Sequence, residues 1–201
     1  MRLYRPVGLE ELLSIYKAGM RAFPPRLPEQ PMFYPIPHLS YAQEIARDWN
    51  TRSGTLGGYV TRFSVEDSYG KQFPQKQVGA AEQIELWVPA ESLEDFNQHL
   101  VGPIELVDAY FGEGFRGSIP ASGALKGKDA AEQMAALHGL LDSDRAAFSA
   151  EAMAQHAAMF ANYPFWERSD FTKAGIDEAR RDHVLAQLAA VWAGEFQPKA
   201  S

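Results

Sequence analysis

The stretch FPPRLPEQPMFYPIPHLSYAQEIARDWN, Phe23–Asn50, decides how the rest of this chain is interpreted. Six of the thirteen prolines lie between Pro24 and Pro37, and a helical pattern follows directly. Because proline fixes φ and stiffens the unfolded chain, so dense a run predicts a shaped loop. A stiff loop that carries arginines, acids and aromatic side chains is a common place for binding or chemistry. A loop that only packs its aromatic side chains is the alternative.

Periodic patterns on both sides of this stretch indicate strands and helices. The alternation of apolar and polar residues predicts short strands at Leu3–Val7, Met32–Ile36, Tyr59–Val65, Gln83–Val88 and Pro103–Tyr110. Helical spacing predicts helices that begin at Leu9, at Tyr41 after the N-cap Ser40, and at Ala90. The polar segment Glu66–Gln77 is predicted to be a loop with at most one helical turn.

A change of composition between Gly112 and Lys128 marks the one plausible domain boundary. Beyond it the chain is rich in alanine, and helices are predicted at Asp129–Leu141, Ala150–Asn162 (capped by Ser149) and Ile176–Ala193, with an aromatic break at Tyr163–Trp166. The predicted fold class is therefore α+β, with a split, mostly antiparallel sheet in residues 1–117. A helical C-terminal subdomain is predicted for residues 118–201.

Composition narrows the classes of function. The formal net charge of −7 makes nucleic acid an improbable partner, and the absence of cysteine removes disulfides and thiolate chemistry. The five histidines match no metal-binding spacing, so we expect no metal. No segment has the pattern of a signal peptide or a membrane span, so the expected location is the cytoplasm, away from membranes.

The most suggestive polar residues lie on predicted strands. Gln83 and Glu85 are two positions apart, which places both side chains on one face of a strand. A carboxylate beside an amide suits the stabilisation of an oxocarbenium-like sugar. Arg5 lies on the first strand, where its guanidinium is suited to hold a pyrophosphate. An ordinary half-exposed strand face remains the alternative interpretation of these residues.

Several strings resemble a family of small bacterial proteins that automated naming calls "ADP-ribosylation/crystallin J1". They are LYRPVG, FPPRLPEQPMFYP, YAQEIARDWN, GYVTRF and ELWVPAESLEDFN, and the resemblance covers roughly Leu3–Phe111. The layout is also similar, more loosely, to mono-ADP-ribosyltransferases of the Arg-Ser-Glu type. In those enzymes a first-strand arginine grips NAD, and a late Glu/Gln-x-Glu strand supplies the catalytic glutamate.

The resemblance implies a role for each matching residue. Glu85 is the implied catalytic acid, Gln83 orients the acceptor, and Arg5 grips NAD, which is the substrate. The aromatic ring of Tyr34 is expected to stack on nicotinamide. Arg26 and Tyr41 complete the expected NAD-binding residues, listed together as Arg5, Arg26, Tyr34 and Tyr41.

Other functions stay open at this point. The second strand carries Phe33-Tyr34-Pro35 in place of the family's serine, which favours a catalytically inactive binding or regulatory module on the same scaffold. A toxin whose helical tail docks onto a partner protein is a further alternative. The apolar faces of the C-terminal helices are also suited to pairing with another chain. The acceptor of ADP-ribose is not identified by any of these residues.

Overall fold

A computed structural model describes residues 1–193 of the protein. The chain divides into two compact units, Met1–Phe115 and a second that begins at Arg116. The strands are β1 (Arg2–Val7), β2 (Met32–Phe33), β3 (Gly57–Ser64), β4 (Gln75–Gln77), β5 (Ile84–Leu86), β6 (Val88–Pro89) and β7 (Glu105–Phe111). The helices are α1 (Leu9–Lys17), α2 (Leu39–Asp48), α3 (Asp67–Gly70), α4 (Leu93–Gln98), α5 (Ala130–Ser143), α6 (Arg145–Ala154), α7 (His156–Arg168) and α8 (Glu178–Ala193).

The first unit is built on a three-stranded antiparallel sheet with the order β1-β3-β7. Two small antiparallel sheets accompany it, β2 with β6 and β4 with β5. The α+β class and the antiparallel sheets predicted from the sequence are therefore confirmed. The strand that residues 83–88 were expected to form is shorter, because the ladder is interrupted at Trp87 between β5 and β6.

The two faces of the three-stranded sheet carry different groups. Arg5 is opposite Thr61 in the register and lies on the same face as Leu3, since side chains on a strand alternate. The other face carries Val60, which packs with Tyr41 of α2 in one buried apolar cluster. Arg5 and Tyr41 therefore belong to opposite faces of this sheet.

The proline-rich segment joins the sheets of the first unit. Ile36 exchanges two backbone hydrogen bonds with Tyr4 of β1, at 2.7 and 2.8 Å. Immediately before it, the Pro35 carbonyl accepts from the Leu86 amide at 2.8 Å, and Phe33 pairs with Val88. The segment predicted to be a shaped loop thus lies between β1 on one side and the β5–β6 segment on the other.

The second unit contains helices α5 to α8 around an apolar core that includes Met134, Phe148 and Trp166. A buried amide pair holds the start of the unit to this core. The Asn162 amide nitrogen donates to the Ser118 carbonyl at 3.0 Å and to the Gln133 side-chain oxygen at 2.9 Å. Its oxygen accepts from the Ser118 amide at 2.7 Å, so both ends of the side chain are used.

Several local predictions for the helices are wrong. The segment Tyr163–Trp166 does not interrupt the helix, because its residues continue α7 with Pro164 inside it. The buried Trp166 indole donates to the Ala130 carbonyl at 2.6 Å. Burial of this large aromatic ring outweighs the helix-breaking tendency of proline. Asp144, rather than Ser149, caps the preceding helix, because its side chain accepts from the amides of two first-turn residues.

Two predictions in the first unit are also wrong. Ser40 is not the cap of α2, which begins at Leu39, two residues before the predicted start; the Ser40 hydroxyl instead donates to Glu82 at 2.6 Å. The polar segment after Glu66 contains a helical turn, as expected, but it also contains the strand β4. Its polar, exposed residues give no alternation of apolar side chains to mark a strand. Among residues 1–193, no helix is long and apolar enough to cross a membrane.

Candidate functional site

Glu85 is held by two donors from different elements. The Trp87 indole Nε1 donates to Glu85 Oε2 at 3.2 Å. The Tyr41 hydroxyl, from α2, donates to Oε1 at 3.5 Å. The Trp87 bond therefore orients one carboxylate oxygen, and the Tyr41 hydroxyl lies near the other at the outer limit of a hydrogen bond. Glu85 is half-buried, which leaves part of it accessible to a ligand.

Gln83 lies just before β5 and bonds a second carboxylate. Its Nε2 donates to both oxygens of Glu44 on α2, at 3.1 and 3.3 Å. Its Oε1 accepts from the Ala80 amide at 2.8 Å, so the direction of the amide is set by the turn that precedes it. The two carboxylates, Glu44 and Glu85, therefore flank one α2–β5 junction.

Burial of Tyr41 raises the pKa of its phenol, and the charges on Glu85 and Glu44 raise it further. A phenol in this setting stays protonated and remains a hydrogen-bond donor at neutral pH. The charges of both glutamates therefore act on the Tyr41 hydroxyl.

Aromatic groups cover one side of this region. The Tyr34 ring meets the Trp87 ring edge-on, with centroids 5.4 Å apart and planes inclined by 73°. Lys76, opposite Glu85 in the β4–β5 register, places its ammonium 3.6 Å from the centroid of the Trp87 ring. An ammonium at that distance is a cation–π contact, so the indole face accepts positive charge. We call the set Tyr34, Tyr41, Glu44, Gln83, Glu85 and Trp87 the glutamate cluster.

Arg5 lies in a different cluster. Its Nε donates to Glu11 Oε1 at 2.6 Å and its Nη2 to Oε2 at 3.2 Å, a two-point ion pair. The guanidinium carbon is 4.6 Å from the centroid of the Phe33 ring. Only 7% of Arg5 is exposed, so most of the side chain faces protein. In this structure the Arg5 guanidinium therefore binds Glu11 of α1, whereas the resemblance implies that it grips NAD.

Arg26 of the proline-rich segment joins Arg5 at the same glutamate. Its Nη1 is 3.6 Å from Glu11 Oε1, longer than a hydrogen bond. Burial lowers the pKa of Arg26, and so does the charge on Arg5, while Glu11 and Tyr34 act in the opposite direction. We call Arg5, Glu11 and Arg26 the arginine cluster.

The structure brings some of the predicted residues together and separates others. Glu85, Gln83, Tyr34 and Tyr41 share the glutamate cluster, whereas Arg5 and Arg26 form the arginine cluster. Two consecutive residues of the proline-rich segment connect them, because successive side chains on extended backbone point to opposite sides. Phe33 lies against Arg5, and Tyr34 lies against Trp87.

Three residues of these clusters were not singled out from the sequence. Glu44 follows Tyr41 by three positions, so one helix face carries both, and Trp87 follows Glu85 by two on one strand face. Both spacings are visible in the sequence, but they indicate a shared site only once α2 is known to lie beside β5. Glu11 lies in the first turn of α1, where the helix dipole favours an acidic residue, so its position in the sequence gives no sign of the ion pair.

In the described residues 1–193, no group of three or more histidine, aspartate or glutamate side chains is placed to hold a metal ion. Comparison with protein-family models, with curated proteins and with solved structures gives no match to this chain. The geometry of the two clusters therefore carries the functional argument.

Proposed function

We propose that the protein binds NAD and transfers its ADP-ribose to an acceptor, with Glu85 as the residue that stabilises the ribosyl cation. One observation carries the proposal. The Glu85 carboxylate is oriented by Trp87, with the Tyr41 hydroxyl 3.5 Å from its other oxygen, beside aromatic rings on a half-buried surface. A fixed carboxylate acts most strongly on charge that develops next to it when its orientation is set in advance.

The reaction makes and breaks one bond each at the same carbon. The bond from ribose C1′ to the nicotinamide nitrogen breaks, and its electron pair leaves with nicotinamide, which becomes neutral. The acceptor then forms a bond to C1′ and loses a proton to a carboxylate of the glutamate cluster. Glu85 stabilises the positive charge on the ribose between these events, as carboxylates do for glycosyl cations.

The other members of the glutamate cluster have supporting roles in this proposal. Gln83 positions the acceptor, and its amide is already oriented by Glu44. The ring of Tyr34 provides a face for the positively charged nicotinamide ring, whereas one face of Trp87 is already covered by the Lys76 ammonium. The arginine cluster provides positive charge for the phosphates of NAD.

The direct test is release of nicotinamide from NAD, measured by chromatography for the wild type and Glu85→Gln. We expect release by the wild type and a loss of roughly 100-fold in the variant, the order found when one electrostatic contact of a transition state is removed. Glu91→Gln is the matched control, because Glu91 is an exposed glutamate outside both clusters. Absence of nicotinamide release by the wild type would refute the proposal.

One observation favours a second candidate, a binding module without catalysis. Trp49 at the end of α2 is 66% exposed, and an exposed tryptophan is a frequent anchor of protein interfaces. In that case Trp49→Ala abolishes capture of a partner, and Glu85→Gln leaves it unchanged. The reverse pattern, together with nicotinamide release, favours the enzyme.

A further inference from the structure

Arg26 is a largely buried arginine that makes no hydrogen bond within the part of the chain that the structure describes. Its side chain is 11% exposed, and its Nε is buried without a partner. Guanidinium groups carry five donors, and buried polar groups in native proteins are almost always satisfied. An arginine in this state is suited to an oxyanion that is not part of the protein.

The neighbours of Arg26 leave an excess of positive charge. Glu11 is the shared anion, and both of its carboxylate oxygens accept hydrogen bonds from Arg5. Arg26 receives only a 3.6 Å contact with one of them. Two guanidinium groups therefore share one carboxylate, which gives the cluster a net charge of +1 in a poorly solvated place. Burial and the Arg5 charge, which lower the pKa of Arg26, agree with a cation short of compensation.

We propose that Arg26 is the direct ligand of a phosphate oxyanion, and that Glu11 is the internal carboxylate that competes with it. Arg5 is then a positioning residue: it holds Glu11 in place and does not itself touch the ligand while that ion pair lasts. This assignment differs from the expectation that Arg5 grips the ligand directly.

The geometry favours phosphate over a singly charged anion. A carboxylate would also neutralise the net charge of +1, but a phosphate or diphosphate offers more oxygens to the planar guanidinium fork. Glu11 is 19% exposed, at the start of α1, so solvent reaches the contact that the ligand must replace. Prolines and exposed residues surround Arg26 in the chain, and Leu27 is 56% exposed.

The inference rests on the proposed function only where it identifies the anion as the diphosphate of NAD. The site itself is tested with inorganic pyrophosphate, by calorimetry at fixed ionic strength. We expect saturable binding to the wild type, at least 10-fold weaker binding to Arg26→Gln, and several-fold tighter binding to Glu11→Gln. The glutamine keeps an acceptor for Arg5 but no longer competes through charge.

Arg21→Gln is the control for charge alone, because Arg21 is an exposed arginine five residues earlier in the chain. Thermal unfolding of each variant checks that it is folded. If Glu11→Gln does not fold, the comparison of Arg26→Gln with the wild type still tests the inference. Three results overturn the inference: no pyrophosphate binding by the wild type, equal losses in Arg26→Gln and Arg21→Gln, or weaker binding in a folded Glu11→Gln.

The two proposals fail in different ways. Pyrophosphate binding that depends on Arg26, without any release of nicotinamide, keeps the oxyanion site and removes the transferase. Nicotinamide release that depends on Glu85, with pyrophosphate binding unaffected by Arg26→Gln, keeps the transferase and removes the oxyanion site.

Discussion

Trp87 donates from its indole Nε1 to the Glu85 carboxylate at 3.2 Å, although the two residues are only two positions apart in the chain. The contact is possible because extended backbone places alternate side chains on one face. Tyr41 reaches the same carboxylate from α2. Orientation of Glu85 therefore depends on a local contact and on the packing of a helix, and the two dependences can be separated by substitution.

Trp87→Phe removes the local donor and keeps an aromatic ring against Tyr34. We expect nicotinamide release to fall about 10-fold, because a hydrogen bond to a charged group contributes roughly 1.5–3 kcal/mol and the phenyl ring leaves one carboxylate oxygen without its donor. The measurement is the initial rate at saturating NAD. A rate equal to that of the wild type, in a folded variant, contradicts the role assigned to the indole.

Gly58→Ala tests the packing of α2, which carries Tyr41 and Glu44. A Cβ at Gly58 would overlap the backbone carbonyl of Ala46 in α2, so the helix must shift. We expect a loss of about 1–3 kcal/mol in the free energy of unfolding, as for overpacking in general, together with lower activity.

The control for this substitution is Gly8→Ala. Gly8 has a φ of −82°, and a Cβ built there meets no atom within 4 Å. We expect its unfolding free energy, measured by urea denaturation, to stay within about 0.5 kcal/mol of the wild-type value. If both variants are equally stable, α2 is not held as tightly against β3 as the structure indicates.

The sequence predicted much of the first unit because its strands alternate clearly. In β1, residues Leu3, Arg5 and Val7 share one face as expected, and all three are buried. The same rule placed Gln83 and Glu85 together. What it did not provide is the face of the sheet on which each strand's neighbours pack, because that depends on contacts between residues far apart in the chain.

The separation of Arg5 from Glu85 illustrates this limit. Both residues lie on strands, and the proline-rich segment does lie between those strands. The sequence cannot show that β1 directs Arg5 to the face opposite α2, whereas Tyr41 of α2 meets Glu85.

The helical unit was harder to predict from the sequence for another reason. Caps such as Asp144 and a proline within α7 are decided by local bonds and buried rings, which outweigh intrinsic helix propensity.

Stability at alkaline pH depends on Tyr69. Burial, together with its hydrogen bond to Asp95 at 2.6 Å, raises the pKa of this phenol from 10 to about 12. The folded form keeps the proton longer than the unfolded chain, so the contribution to stability is complete below pH 10 and disappears as the pH rises through about 12.

We expect the free energy of unfolding to fall more steeply between pH 10 and 12 in the wild type than in Tyr69→Phe, which has no phenol to ionise at this position. Urea unfolding at a series of pH values measures both slopes. Parallel curves for the two proteins are the result that this assignment excludes.

Asn162→Ala disturbs the buried amide pair of the helical unit. The substitution leaves the Ser118 amide and the Gln133 side-chain oxygen without the partner that Asn162 supplies. Each buried group left unsatisfied costs roughly 1–3 kcal/mol, so we expect a loss of about 3 kcal/mol. Tryptophan fluorescence during urea unfolding reports it, since Trp166 lies in this core.

Gln155→Ala provides the comparison for that experiment. Its amide donates to Ser122 at 3.1 Å in an exposed position, where water replaces the lost bond. We expect a change within about 0.5 kcal/mol. A loss in Asn162→Ala no larger than this shows that the amide pair does not stabilise the unit.

The central claim is that Glu85 acts on NAD in the transition state. The most direct measurement is the single-turnover rate of nicotinamide release at saturating NAD, with the dissociation constant of NAD determined beside it. For Glu85→Gln we predict a rate lower by roughly 100-fold and a dissociation constant within about threefold of the wild-type value, because the lost interaction belongs to the ribosyl cation. An unchanged rate, or a loss that comes entirely from weaker binding, would contradict the claim.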